Sequence, residues 1–141
     1  LPMRVVWLLV LVVMMAACSA PKDQTVIPLL TPTQTLISTD RYEVKAWVDK
    51  KEPQTGQVVG LTGSLIKNGV YLNGIMMSGY WQQPGEDAPS QHCYDMSTYQ
   101  RGKCIVIVEG FPEDVFVPLK IEFLYNGLTF TAETGFTPRG K

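Results

Sequence analysis

Histidine is almost missing from this chain: among 141 residues, His92 is the only imidazole. That removes any His-rich metal set and leaves one candidate for general base. There is no Walker loop and no GxGxxG run, so nucleotide binding has no support. Charged residues make up 18% of the chain and the formal net charge is −1, which gives no electrostatic footprint for nucleic acid. Long apolar runs are also absent. The longest, Val5–Met15, has 11 residues; as a helix it reaches about 16 Å, short of a ~30 Å hydrocarbon core. After the first residues no segment keeps a 3.6-residue period, which argues against helices.

What is there begins with a leader. Arg4 precedes the apolar run, and Ala16, Ala17 and Cys18 follow it. This order reads as the n-region, h-region and cleavage site of an exported protein. Met15-Ala16-Ala17-Cys18 resembles the lipobox of bacterial lipoproteins, with Met where Leu is usual. The resemblance implies a cut before Cys18, fatty acylation (palmitate among the groups) on its sulfur and new amine, and a membrane partner engaged through that lipid. Ser19 after the cysteine, by the same resemblance, permits delivery to an outer membrane. An ordinary secretory signal with a chance cysteine and an uncleaved anchor are the competing readings. Removal of 1–17 leaves 124 residues, one domain of ordinary size.

Segment 18–39 reads as a tether, with Pro21, Pro28 and Pro32 among Thr and Gln. Fully extended as polyproline it would reach about 65 Å. Its composition suits a disordered spacer better than a core.

From residue 40 to 141 the period is two. Tyr42, Val44, Ala46 and Val48 alternate with charged residues, and Trp47 breaks the polar side. Val58–Ile66 is a second strand. Asn68-Gly69 is a two-residue turn, and Val70–Trp81 is mainly extended, with Gly74 and Gly79 suggesting a bend or bulge. The polar stretch 82–91 is a loop. Lys103–Glu109 is apolar on both faces and reads as a strand buried on both sides. Asn126-Gly127 as a tight turn fixes the register of the last hairpin: Tyr125 faces Leu128, Phe123 faces Phe130 and Ile121 faces Ala132. On its other face Leu124 meets Thr129, Glu122 meets Thr131 and Lys120 meets Glu133. The expectation is an all-β fold, a β-sandwich.

Tyr42–Lys50, Val58–Lys67 with Asn68-Gly69, Tyr80-Trp81, Cys93, Gly102 and Cys104, then Val115–Tyr125, Asn126-Gly127 and Leu128–Phe136 follow in one order. Together with the closing Phe136-Thr137-Pro138-Arg139, this resembles the bacterial immunoglobulin-like domains of the invasin type. The resemblance implies an immunoglobulin-like β-sandwich with a binding or spacer role, and it carries over no catalytic residues.

Candidate chemistry is sparse. With Cys18 given to lipid, Cys93 and Cys104 form an even pair, and an oxidising compartment favours a disulfide between them. A half metal site with His92 is the rival; adjacent strand residues diverge, so His92 and Cys93 converge poorly on one ion. Ser90 could share a face with His92, but no GxSxG elbow accompanies it, and an exposed loop histidine is the plainer reading. Glu86-Asp87 and Glu113-Asp114 read as solvated turn charges rather than a Ca²⁺ site. The aromatics Trp47, Tyr80, Trp81 and Tyr94 remain as possible ligand contacts. Trp81 fits a core position against the disulfide better than a platform, and Leu124 is a candidate apolar neighbour for Trp47.

The sequence therefore points to a non-enzymatic lipoprotein that needs no metal or cofactor. It would be anchored to a bacterial membrane on the extracytoplasmic side, at the cell surface or periplasmic face. Its partner would be a protein or glycan, with no role for nucleic acid. A cell-surface carbohydrate-binding module is the alternative.

Overall fold

The computed structural model describes residues 39–141. The segments read from sequence as a leader (1–17) and, up to Ser38, a tether, with Cys18 between them, lie outside the described residues. Thr39–Lys141 is a compact unit of eight strands and no helix. They are β1 (Tyr42–Val48), β2 (Val58–Lys67), β3 (Val70–Tyr71), β4 (Met76–Trp81), β5 (Ser90–Met96), β6 (Gly102–Ile107), β7 (Val117–Tyr125) and β8 (Leu128–Phe136).

Two antiparallel sheets share one core. In the first, β2 pairs with β1 along one edge and with β6 and the short β3 along the other. The second runs β5-β4-β7-β8. This is a β-sandwich, with β1, β2, β3 and β6 facing β4, β5, β7 and β8. The inner faces contribute Val59, Leu61 and Leu65 from β2, Val106 from β6, Met77 and Trp81 from β4, and Leu119, Ile121 and Phe123 from β7. Tyr42, Val44 and Ala46 pack against this core, and Val48 is part of it, as the alternation in β1 dictates.

The β7–β8 hairpin has the expected register at every position, from Tyr125↔Leu128 to Lys120↔Glu133. Asn126 and Gly127 carry φ of 50° and 73°, the backbone that a tight antiparallel turn of this hand requires.

The strand glycines have a packing reason. Gly63 and Gly102 are register partners on β2 and β6. A Cβ on either would come within 2.8 Å of Met77 Sδ, so the pair forms a hollow that the methionine of the opposite sheet fills.

Val70–Trp81 is extended with the interruptions its glycines suggested: Gly74 at φ 69° lies between β3 and β4, and the register of β4 against β5 shifts after Gly79. The reading of Lys103–Glu109 as buried on both faces fails. β6 buries alternate residues only, and Ile105 and Ile107 are 68% and 56% exposed. Among the described residues no layer covers its outer face, so the apolar character of that face does not come from burial by them.

Candidate interaction site

The disulfide joins Cys93 on β5 to Cys104 on β6, with Cα atoms 6.1 Å apart. These are strands of different sheets, so the bond closes one open side of the sandwich. Gly79 makes room for it: a Cβ there would lie 3.1 Å from Cys104 Sγ, 3.2 Å from Cys93 Sγ and 3.1 Å from the Trp81 ring. Trp81 is 3% exposed and packs beside the disulfide, the core role its position suggested. Its indole N–H is buried with no hydrogen-bond partner among the described residues.

A bulge decides where His92 goes. Gly79 pairs with Cys93, but Tyr80 pairs with Gln91, which leaves His92 as the extra residue of β5. The bulge breaks the alternation expected of neighbours, and both His92 and Cys93 lie at Trp81. The imidazole stacks on the indole with centroids 4.9 Å apart. His92 is thus a half-buried strand residue and not an exposed loop histidine, and the loop after β4 ends at Ser90, where β5 begins.

Ser90, His92 and Glu86 do meet. His92 Nε2 lies 2.9 Å from Glu86 Oε2 and 3.0 Å from Ser90 Oγ, and Ser90 donates to Glu86 Oε1 at 3.0 Å. A nucleophilic triad needs the serine on one ring nitrogen and the carboxylate on the other. Here both partners share Nε2. A carboxylate accepts only, so Nε2 carries the proton and has no lone pair to take one from Ser90. The cluster orients the loop; it does not activate the hydroxyl. Glu86 is held below the usual glutamate range, first by the Gln83 backbone N–H and then by hydrogen bonds from His92 and Ser90 and the His92 charge.

The carboxylate pairs are therefore not simple solvated charges. Glu86 anchors its loop, and Asp114 joins Glu52 in holding the Arg139 guanidinium. Nearby, Thr137 N–H donates to Lys51 O and Arg139 N–H to Pro53 O, both at 2.8 Å, so the chain end is clasped to the turn after β1.

The remaining aromatics lie on two separate surfaces. Trp47, 36% exposed, points out of the first sheet beneath the Arg101 guanidinium, which is 5.6 Å from its ring. Leu124 points out of the second sheet, opposite Met76, so it is no neighbour of Trp47. Tyr80 and Tyr94 share that second outer face. Tyr80 lies under Lys120 Nζ at 4.7 Å, and Tyr94 is 70% exposed. Met96, Met76 and Leu124 form one exposed row across β5, β4 and β7. The methionines were not singled out from sequence; only the cross-strand register aligns them.

Where β5 and β6 splay apart beyond the disulfide, a cleft of about 420 Å³ opens, lined by Trp81, Gln83, His92, Ile105, Ile107 and Glu109. Among the described residues no three His, Cys, Asp or Glu side chains gather as a metal site, and no helix is long and apolar enough to cross a membrane. No protein-family model matches the chain, and no curated protein matches it.

Proposed function

We propose that this chain is a bacterial lipoprotein, held at a membrane through acylated Cys18, whose invasin-type sandwich serves as a non-enzymatic interaction or spacer module outside the cytosol. The observation that carries this is the pairing of cysteines. Cys93 and Cys104 are joined to each other, a bond that suits an oxidising compartment. Of the chain's 3 cysteines this leaves one, Cys18, at the end of an export leader. The shared use of His92 Nε2 by Ser90 and Glu86 supports a role without catalysis.

Expression in a bacterium fed an alkyne-tagged palmitate tests the anchor. The wild-type chain takes up label and enters the detergent-rich phase, and Cys18→Ser does neither. A Cys18→Ser chain that is still labelled, or a wild-type chain that stays unlabelled in the cytosolic fraction with its leader intact, overturns the reading.

Carbohydrate binding is the second reading. The exposed face shared by Tyr80 and Tyr94 favours it, since stacked rings suit sugar faces. Binding to a glycan panel that Tyr94→Ala abolishes would support it, and a flat response across the panel would remove it.

A further inference from the structure

The segment Lys103-Cys104-Ile105-Val106-Ile107-Val108-Glu109 is self-complementary about Val106, with Ile on both sides and opposite charges at its ends. Strand pairing takes up only one edge of β6. β2 pairs with it, and among the described residues no strand occupies the other edge.

Two hydrogen bonds fix which residues face that edge. Val108 N–H donates to Gln57 O at 2.9 Å, on the β2 side. Lys103 N–H donates to Asp95 Oδ2 at 2.9 Å, on the opposite side. Backbone groups alternate sides along a strand, so Ile105 and Ile107 present N–H and C=O in the same direction as Lys103. Asp95 blunts the edge at Lys103, and Glu109 N–H turns back onto Ile107 O at 3.0 Å. Between these two, among the described residues, the N–H and C=O of Ile105 and the N–H of Ile107 have no partner, and Ile107 O, which takes the Glu109 N–H, keeps a second lone pair.

We propose that the free edge of β6 is a self-association surface that takes the same edge of a second copy of this chain, antiparallel and centred on Val106. An open edge admits only registers that set edge-facing residues opposite one another. Centring on Val106 satisfies this. Ile105 then faces Ile107 of the second copy, and Ile107 faces its Ile105, each pair exchanging backbone hydrogen bonds. Lys103 faces Glu109 at both ends, which selects this register over slips of the two copies centred on Ile105 or Ile107. The exposed side chains of Ile105, Ile107 and Val58 lie on one outer face, so pairing joins two apolar patches into one strip. This accounts for an apolar outer face on a strand that none of the described residues covers. The pairing does not depend on how the chain is anchored.

Light scattering of the full chain in non-ionic detergent, over a concentration series, tests it. The wild type is expected as a reversible dimer. Lys103→Glu or Glu109→Lys alone sets like charges opposite each other at both ends and weakens the dimer about tenfold. The double variant restores opposite charges and recovers most of the affinity. Ile105→Pro removes an edge donor without touching a bond to β2; it gives a monomer whose melting stays close to wild type. A wild-type chain that is monomeric throughout, or charge variants that all associate equally, overturns the proposal.

Discussion

Trp81 and His92 stack with ring centroids 4.9 Å apart, although one is a core residue of β4 and the other the bulged residue of β5. The bulge turns the imidazole onto the indole, and the Cys93–Cys104 bond adjoins the same indole through the space Gly79 leaves. This corner is where the two sheets are tied together, and it sets most of what the fold can be tested for.

Cutting the tie should cost stability without changing the fold. Reduction, or the Cys93→Ala/Cys104→Ala pair, opens a loop spanning a separation of 11 residues. The chain-entropy account gives about 3 kcal/mol for a loop of this size. Urea unfolding with and without reductant should show a lower midpoint for the open form. Coincident midpoints would deny the disulfide a stabilising role.

Glu86 makes stability depend on acid. Its folded carboxyl titrates below the ordinary value of 4.5, chiefly because Gln83 N–H donates to the charged form. A depressed folded value means the contribution is fully present above that ordinary value and is lost as pH falls through the folded one. Melting curves should therefore show wild type exceeding Glu86→Gln at neutral pH, with the gap closing as pH drops below the ordinary value. A gap that stays constant into acid would exclude the carboxylate as its source.

Gly63→Ala should overfill the hollow occupied by Met77. The new methyl meets Met77 Sδ at 2.8 Å and the end of Ile121. Overpacking of this kind costs about 1–3 kcal/mol. Combining it with Met77→Ala should cost less than the two single changes added, because each relieves the other. Additive losses in chemical denaturation would show that the two sites are independent.

The chain end should hold by its backbone more than by its charges. The Arg139 side chain is 45% exposed, and its partners Glu52 and Asp114 are 61% and 67% exposed. Arg139→Ala should thus leave the unfolding midpoint nearly unchanged. Deleting 137–141 removes the bonds to Lys51 O and Pro53 O and one from Thr55 N–H. Hydrogen exchange should then quicken in the turn after β1 in the truncated chain and stay nearly unchanged in Arg139→Ala.

Local chemistry made parts of this fold legible. Asn126-Gly127 admits one kind of turn, and an alternating pattern on both sides leaves one register, so the hairpin follows from residues 115–136 alone. Gly79 likewise marked an irregularity near the bulge. Other features depend on distant segments. That Trp47 and Leu124 point out of opposite sheets follows from which strands share a sheet. So does the exposure of Ile105 and Ile107: an apolar strand reads the same whether it is covered or lies open at an edge. His92 was misread because alternation fails wherever one strand carries an extra residue.

The amino-acid order by itself determined most of the strands (β5 excepted), the tight turns and the alternation that separates core from surface, because each depends on backbone preferences within a few residues. Tertiary structure alone decided which strands became neighbours, that the disulfide would span two sheets, and that the outer side of β6 would lie uncovered by the other described residues. Those outcomes depend on the packing of segments dozens of residues apart, where only the filling of a shared core selects one arrangement.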